Sequence, residues 1–409
     1  MKTKLGIIFG GKSVEHEISI ITGNQAINAV DKEKYEVVPI YISKKGLMYT
    51  GNELLDLNNY RELDTLLKKV TQITLVNDGE RINLVRFPAK NFKNNILNTI
   101  DVAIPTMHGT NGEDGAIQGY LEILGIPYAG CDILSSSVGM DKIMMRRVLK
   151  EAGIPSLDYI SFYSLDYVAS PEKIISDVEE KMNYPVIVKA GNLGSSVGIK
   201  KANDRAKLKE AIEYAIQFSD RVMIERAIEH LREINCSVIG DQVDAEASEC
   251  EEPFGTDEIL SYSDKYMPGK GNKSGKMGGA KVVNNSKEQG MAALDRKIPA
   301  DITSERKQEI QELAIKTFKT LGCSGVSRID FMIDKDTDEL YVNEINTIPG
   351  ALSFYLWQAT DVEFDKEIDK LVELAFKRQR QREDRTYSYN ENILAMSGSG
   401  KLGTKGSKK

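Results

Sequence analysis

Residues 325–350 read GVSRIDFMIDKDTDELYVNEINTIPG, and this stretch decides the fold of the second half of the chain. Two apolar runs, Gly325–Ile333 and Glu339–Asn343, flank the segment DKDTD at 334–338. Short apolar runs separated by a few polar residues are typical of a β-hairpin. The sequence therefore predicts two neighbouring antiparallel strands joined by a turn at 334–338.

Polar side chains meet on one face of this predicted hairpin. Successive side chains of a strand point to opposite faces, so Arg328 shares a face with Asp330, and Glu344 shares a face with Asn346. Two carboxylates and an amide oxygen are hard ligands, suited to Mg²⁺ that carries nucleotide phosphates. Arg328 is close enough in sequence to stabilise a developing oxyanion beside that site. An ordinary surface salt bridge is the alternative interpretation.

The N-terminal stretch at 6–13, GIIFGGKS, satisfies the phosphate-loop pattern G-x-x-x-x-G-K-[ST]. In such a loop the intervening residues curl so that their amides face the phosphates, whereas Ile7-Ile8-Phe9 belong inside a strand. We interpret the segment as a strand ending at Gly10-Gly11, with Glu15 near the start of the next helix. Glu15 then lies at the sheet edge, where it can hold the amine of a small molecule. A phosphate-loop NTPase remains the alternative from a different functional class.

Two more glycine-rich loops follow predicted strands. The segment 108–115, HGTNGEDG, follows the strand at 101–105, so His108 is expected at the same sheet edge as Glu15. The segment 194–198, GSSVG, follows a strand that ends in Lys189. Glycines and hydroxyls in that position can fold over nucleotide phosphates, with Lys189 as the fixed charge. A structural histidine and a plain polar hairpin are the alternatives.

Composition narrows the class of protein. The chain has 409 residues, is 41% hydrophobic and 28% charged, and carries a net charge of −7, which argues against general nucleic-acid binding. It contains no apolar run near the length of a membrane span, so no membrane association is expected. Its four cysteines show neither metal-site spacing nor a C-x-x-C motif, which predicts a reduced, cytoplasmic protein.

Taken together, seven motifs in order resemble the D-alanine–D-alanine ligases of the ATP-grasp superfamily. They are GGKSVEHEIS (10–19), MHGTNGEDGAIQG (107–119), MDK (140–142), VKAGNLGSSVG (188–198), SDKY (263–266), SRIDF (327–331) and NEINTIPG (343–350). The resemblance implies an α/β and α+β, three-domain ATP-grasp fold. The expected domains are an N-terminal parallel α/β domain (1–131), a small central α+β domain (132–225) and a C-terminal antiparallel-sheet domain (226–383). A lid loop (262–292) belongs to the third, and a flexible tail (384–409) follows.

The same resemblance implies the reaction and the residues that carry it. ATP phosphorylates one D-alanine, and the amine of a second D-alanine attacks the acyl phosphate, for peptidoglycan precursor synthesis. The expected catalytic set is Glu15, Ser195, Tyr266, Arg328 and Gly350, with Glu15, Ser195 and Tyr266 as a hydrogen-bonded triad. The expected substrate-binding set is Glu15, His108, Arg328, Gly350 and Tyr355. ATP is expected on Lys142, Lys189, Ser196, Glu225, Glu233 and Lys265, and two Mg²⁺ or Mn²⁺ on Asp330, Glu344 and Asn346.

The second substrate is less well specified by the sequence. Tyr355 occupies a position near the acceptor carboxylate where many family members have a smaller hydroxyl residue. The pair Lys265-Tyr266 is intact, which favours D-alanine over D-serine or D-lactate as the acceptor. A non-catalytic nucleotide-binding relative is a further alternative. The resemblance also implies a homodimer with D-alanine and ATP as its small-molecule partners.

Overall fold

The structure, a computed structural model, describes residues 2–194, 197–253 and 296–387. Three β-sheets follow one another along the chain, and the strands of each come from one continuous part of it. In these described ranges, no helix combines the length and the apolar character that crossing a membrane requires.

The first sheet is mixed. Its strands are β1 (Thr3–Gly10), β2 (Tyr35–Ile42), β3 (Met48–Thr50), β4 (Thr71–Asn77), β5 (Ile82–Arg86), β6 (Ile96–Ile100) and β7 (Val102–Pro105). The spatial order is β6-β5-β4-β3-β2-β1-β7. Strands β2, β1 and β7 run parallel, as predicted, but β3 to β6 are added antiparallel. The sheet is not wholly parallel because residues 48–100 contribute four strands that extend it by antiparallel pairing.

Strand β1 is buried on both faces, which explains its continuous apolar sequence. Leu5, Ile7 and Phe9 pack into one apolar core and Ile8 into another on the opposite side. Helices cover these faces: α1 (His16–Ala29), α2 (Leu63–Lys69) and α3 (Ala116–Ile123). At the end of β1, a Cβ on Gly10 would lie 2.3 Å from the carbonyl oxygen of Ile42, so only glycine fits. The sharp turn there directs the chain toward Glu15.

The second sheet is antiparallel and has four strands. These are β8 (Tyr159–Tyr163), β9 (Val186–Ala190), β10 (Ile199–Ala202) and β11 (Arg221–Arg226), in the spatial order β10-β9-β11-β8. The helices before and within this part of the chain are α4 (Ile133–Met140), α5 (Lys142–Glu151), α6 (Ser164–Ala169), α7 (Pro171–Lys181) and α8 (Arg205–Ala215). Val186, Val188 and Ile224 lie at the centre of its core.

The third sheet has five strands and is antiparallel. They are β12 (Leu231–Gly240), β13 (Ala245–Pro253), β14 (Arg296–Lys297), β15 (Gly325–Asp334) and β16 (Glu339–Asn346), in the spatial order β14-β13-β12-β15-β16. Its helices are α9 (Ser304–Thr320), α10 (Phe354–Gln358) and α11 (Phe364–Glu383). The predicted hairpin is confirmed as β15 and β16, with its turn between Asp334 and Glu339.

One apolar core joins the first and third sheets. It contains Ile7 and Ile104 from the first sheet together with Val326, Ile348 and Trp357 from the third part of the chain. Packing of this kind fixes the carboxyl ends of β1 and β7 against the segment that follows β16. The loops that carry His108 and Glu15 therefore meet the end of the predicted catalytic hairpin.

Candidate active site

A row of polar residues runs across four strands of the third sheet. Glu344 on β16 lies opposite Asp330 on β15, Asp330 opposite Asn235 on β12, and Asn235 opposite Glu251 on β13. Directly opposed residues of paired strands point to the same face. The pairing of Asp330 with Glu344 was predicted, whereas Asn235 and Glu251 were not. Asn235 follows Ile234 and precedes Cys236 in a partly apolar strand, whereas Glu251 is one of several acidic residues of β13 and has no distinct signal in the sequence.

Arg328 and Asp330 form a two-point ion pair on this face. The guanidinium donates from Nε to Asp330 Oδ1 at 2.7 Å and from Nη2 to Asp330 Oδ2 at 2.8 Å. Asn346 Nδ2 also donates to Asp330 Oδ2, at 3.0 Å. Such fork-like pairing fixes the plane of the arginine as well as its position. Burial raises the pKa of Asp330, against the opposing effect of the Arg328 charge.

Two lysines reach this region from the central part of the chain. Lys142 Nζ lies 3.3 Å from Glu344 Oε2 and donates to the carbonyl oxygen of Leu193 at 2.6 Å. Lys189 Nζ donates to Asn343 Oδ1 at 3.2 Å and pairs with Glu225. Both side chains are buried, so their charges act in a medium of low effective dielectric constant. An anionic ligand between the second and third sheets would meet both of them.

Glu225 is held on both sides of its carboxylate. Lys189 pairs with one oxygen, and Arg146 Nη2 lies 3.1 Å from the other. Arg146, which sequence reasoning missed, is fully buried and also donates to the carbonyl oxygen of Val342. The resemblance implies that Glu225 binds ATP, and the structure places it buried beside Lys189, which it fixes in position. Glu233, by contrast, is exposed on β12.

Glu15 lies between the first and second glycine-rich loops. A Cβ on Gly109 would be 2.4 Å from Glu15 Oε2 and 2.6 Å from Ser13 Oγ. A Cβ on Gly194 would be 3.1 Å from the same Glu15 oxygen. The two loops can pass close to the Glu15 carboxylate because Gly109 and Gly194 have no side chains. The predicted residues Ser195, Ser196, Lys265 and Tyr266, the lid loop 262–292 and residues 388–409 of the tail lie outside the described residues.

His108 and Thr22 hold the segment that follows β16. His108 Nδ1 donates to the carbonyl oxygen of Ile348 at 2.8 Å, and His108 Nε2 accepts from Thr22 Oγ1 at 2.8 Å. The backbone N–H of Ala351 donates to Thr22 Oγ1 at 3.1 Å. Each contact fixes the donor and acceptor role of the next, so the three groups form one continuous chain of hydrogen bonds. Thr22 was missed because a single threonine in a helix carries no sequence signal.

Glu113 holds the same segment from its other end. Its carboxylate accepts from the N–H of Gly109 at 2.9 Å and from the N–H of Ile348 at 3.0 Å. We name the three residues His108, Thr22 and Glu113 the turn clamp, because they grip residues 348–351 between them. Gly350, one of the expected catalytic residues, lies inside the gripped segment.

The clamped segment continues into a strained backbone. Ala351, Leu352 and Ser353 have φ values of 54°, 53° and 59°, in the left-handed region that residues other than glycine rarely adopt. All three are buried. Strain of this kind costs on the order of 1–3 kcal/mol per residue and persists where surrounding contacts determine it. The turn clamp provides such contacts.

Burial sets the protonation states of two residues of the turn clamp, His108 and Glu113. It lowers the pKa of His108 to about 4, so the imidazole is neutral near pH 7. Burial, together with the charge of Glu15, raises the pKa of Glu113 to about 8. Neutral His108 matches its hydrogen bonds, one donated and one accepted.

These groups line a single cleft between the three sheets. Seven predicted residues line it: Glu15, His108, Lys142, Arg328, Glu344, Asn346 and Gly350. Tyr355, on α10, lies beside it, with its hydroxyl donating to Glu251 Oε1 at 3.2 Å. Cations, carboxylates and backbone donors thus converge on one space, an arrangement suited to phosphoryl transfer and to stabilising an oxyanion.

Comparison with known proteins identifies the family. The model of the D-ala D-ala ligase N-terminus matches residues 4–131, and that of the D-ala D-ala ligase C-terminus matches residues 148–373. The D-alanine–D-alanine ligase of Thermosipho africanus is 40% identical over 393 residues, covering 95% of this chain and 98% of the relative.

Solved structures agree with this assignment. The D-alanine-D-alanine ligase of Coxiella burnetii superposes with a TM-score of 0.75 at 28% identity, over 93% of this chain and 96% of that one. The VanG D-Ala:D-Ser ligase of Enterococcus faecalis gives 0.72 at 28% identity, over 92% and 100%. A D-alanine–D-alanine ligase of Bacillus anthracis complexed with ATP gives 0.63 at 26% identity, over 93% and 99%. The chain therefore belongs to the D-alanine–D-alanine ligase family.

Proposed function

We propose that this protein joins two D-alanine molecules to D-alanyl-D-alanine at the expense of ATP. The observation that carries the proposal is the convergence of Glu15, Arg328 and Glu344 on one cleft, with Lys142 beside Glu344. An amine site, an oxyanion site and an anion site are then within reach of one another. The reaction needs these three and no protein nucleophile, because positioning and charge neutralisation supply most of the rate.

In this proposal the first D-alanine binds by its ammonium group at Glu15, with His108 close by. His108 is neutral and holds the adjacent turn through its bond to Ile348, so it places no positive charge beside the ammonium group. Glu15 is then the anionic partner of the ammonium. Ser195 and Tyr266 complete a hydrogen-bonded triad with Glu15. The closeness of Gly194 to the Glu15 carboxylate supports the first of these contacts.

ATP lies between the second and third sheets. Lys142 and Lys189 bind its phosphates, assisted by Ser196 and Lys265, and Glu233 binds the ribose. Glu225 keeps Lys189 in position through their ion pair, so its contribution to nucleotide binding passes through that lysine. This proposal differs from the expectation that Glu225 itself binds ATP.

The donor set of the third sheet fits a divalent cation. Within the described ranges, no group of three or more His, Cys, Asp or Glu side chains is placed to hold a metal. The proposed set has two such residues, the opposed Asp330 and Glu344, together with Asn346. Hard oxygen donors of this kind suit Mg²⁺ or Mn²⁺, with phosphate oxygens and water completing the shell. When bound, two such ions would neutralise the charge of the transferring phosphoryl group.

The chemistry then proceeds in two steps. A carboxylate oxygen of the first D-alanine attacks the γ-phosphorus of ATP, and ADP leaves. The amine of the second D-alanine attacks the carbonyl carbon of the acyl phosphate. Its nitrogen gives up one proton, and inorganic phosphate departs with the former carboxylate oxygen and takes up that proton. Arg328 and the Gly350 amide stabilise the oxyanion between attack and departure. Arg328 is suited to this because Asp330 fixes its plane.

D-alanine is the proposed acceptor, and D-serine is the second candidate. The similarity to the VanG D-Ala:D-Ser ligase favours considering D-serine, and Tyr355 beside the cleft makes the acceptor region unusual. The test is a competition in which the protein receives ATP, Mg²⁺ and equal D-alanine, D-serine and D-lactate. Mass spectrometry should find D-alanyl-D-alanine as the main product. A main product with D-serine or D-lactate at its carboxyl end would contradict the proposed acceptor.

We further propose three domains, at 1–131, 132–225 and 226–383, working as a homodimer. The three successive sheets support the division, since each draws its strands from one of these ranges, apart from Arg226, the last residue of β11. Light scattering on the purified protein should give a mass of twice 45.5 kDa. A mass equal to that of one chain would contradict the dimer without affecting the proposed reaction.

A further inference from the structure

Three side chains beside the cleft contact one another in a closed triangle. Tyr355 Oη donates to Glu251 Oε1 at 3.2 Å, and Arg296 Nη1 donates to Glu251 Oε2 at 2.8 Å. The Arg296 guanidinium carbon lies 3.9 Å from the centroid of the Tyr355 ring, within the range of a cation–π contact. We name Glu251, Arg296 and Tyr355 the acceptor clamp.

The acceptor clamp is buried and charged. The side chains of Arg296 and Glu251 are only 10% and 2% exposed. A buried ion pair is costly to desolvate, and well-packed apolar residues would often give equal or greater stability. The pair does, however, fix the orientation of the tyrosine, since Glu251 determines where the hydroxyl points and Arg296 covers one ring face.

The clamp is connected to the catalytic face of the third sheet. Asn235 Nδ2 donates to Glu251 Oε1 at 2.9 Å, and Asn235 lies opposite Asp330 in the row described above. On its other side, Tyr355 is near enough to Arg328 for the guanidinium charge to affect the phenol. A movement of the tyrosine would therefore affect the positions of Arg328 and Asp330.

Charge complementarity alone gives the clamp no preference for an anion. The charges of Arg296 and Glu251 balance, as do those of the neighbouring Arg328 and Asp330. What the clamp offers to a ligand is a rigid aromatic wall with a hydroxyl in a fixed place. Such a wall discriminates between ligands by shape, because a displaced group loses contacts that a well-oriented one keeps.

We propose that Glu251 and Arg296 are positioning residues that hold Tyr355 as the wall of the acceptor site, and so select the second amino acid. The inference rests on the proposed ligase function. It assigns a specificity role to two residues outside the cation, phosphate and ammonium sites. The first substrate should be unaffected, since its proposed partners Glu15 and His108 belong to the first part of the chain and the acceptor clamp to the third.

The test uses full-length variants and separates the two substrate sites. The rate as a function of D-alanine concentration gives two Michaelis constants, one for each site. Arg296→Met should raise the acceptor constant about 10-fold and leave the donor constant within about 2-fold. Arg296→Lys should not rescue it, because lysine lacks the planar group that covers the ring. Tyr355→Phe keeps the ring and should have a smaller effect.

Arg232→Met is the matched control. Arg232 forms a two-point pair with Glu252, at 2.8 and 2.7 Å, one residue along β13 from Glu251 and thus on the opposite face. The Arg232→Met substitution should lower the thermal unfolding temperature without changing either Michaelis constant. The inference is wrong if Arg296→Met changes both constants equally or does no more than Arg232→Met. A wild-type protein that makes no dipeptide would instead refute the proposed function.

Discussion

The two sides of the cleft are built in different ways. On the strand side, Asp330 and Glu344 come from the adjacent strands of one hairpin and are brought together by local register. On the loop side, His108 reaches Ile348 over 240 residues of sequence, and Thr22 reaches Ala351 over 329. The strand side carries the carboxylates proposed to bind the cations, and the turn clamp holds the backbone donor in place. The carboxylates of the strand side are thus placed by the local pairing of two strands, whereas the residues that position Gly350 are placed by long-range packing.

The largest expected effect is on the strand side. Glu344→Gln removes a charge opposite Asp330 and beside Lys142, so the turnover number should fall about 10³-fold while ATP still binds. Dipeptide formation and binding of a fluorescent ATP analogue measure the two quantities. Glu339→Gln, at the exposed start of the same strand, is the matched control and should leave both unchanged. An unchanged rate in Glu344→Gln would contradict the role of the row.

A smaller loss is expected on the loop side. Thr22→Val removes the hydroxyl that joins His108 to the N–H of Ala351, so Gly350 loses part of its support. The turnover number should fall about 10²-fold with little change in the Michaelis constant for ATP. Thr22→Ser, which keeps the hydroxyl, should restore most of the rate.

The control for that variant is Thr317→Val. Thr317 is buried on α9, and its hydroxyl has no hydrogen-bond partner in the part of the chain that the structure describes. Circular dichroism melting should show both valine variants folded. Equal activity of Thr22→Val and Thr317→Val would show that the turn clamp does not support catalysis.

The protonation of Glu113 should appear as a pH dependence of stability. Its pKa rises from 4.5 to about 8 on folding, so between these values the folded state binds more protons than the unfolded state. The free energy of unfolding contributed by this group therefore falls as pH rises through that range. Glu113→Gln should flatten the decline in melting temperature between pH 5 and about 8, and exposed Glu33→Gln should not. If the melting temperatures of Glu113→Gln and wild type change in parallel with pH, Glu113 is ionised over the whole of this pH range.

The smallest effect is expected outside both sides of the cleft. Gly6 lies within β1, so residues 6–13 do not form a phosphate loop, and Lys12 is exposed. Lys12→Ala should change the rate of dipeptide formation less than about 2-fold. Abolition of a D-alanine-independent ATP hydrolysis by this substitution would revive the NTPase alternative.

Sequence reasoning reached the strand side because strand alternation is a local rule. Asp330 and Glu344 could be placed opposite each other from the position of one turn. Asn235 and Glu251 extend the same row but could not be placed, because a register shift between Cys236 and Val238 interrupts the pairing of their strands. The motif resemblance supplied the remaining cleft residues, although it did not indicate that Glu225 is buried between two cations.

The loop side could not be read in the same way. Ser19, Thr22 and Asn24 are buried polar residues on α1, and isolated polar residues within a helix carry no sequence signal of their own. The role of Thr22 comes from the segment after β16, which reaches α1 only in the folded chain, and Ser19 accepts from the backbone N–H of His108. Likewise, residues 50–95 have the polar composition of a periphery, and only strand pairing shows that they extend the first sheet.

The most direct test of the ligase mechanism follows the carboxylate oxygens of the first D-alanine. Wild-type protein would receive ATP, Mg²⁺ and D-alanine labelled with ¹⁸O in both carboxylate oxygens. If the carboxylate attacks the γ-phosphorus in this cleft, the inorganic phosphate should carry one ¹⁸O for every dipeptide formed. Phosphate without the label, released alongside dipeptide or in its absence, would contradict an acyl-phosphate route.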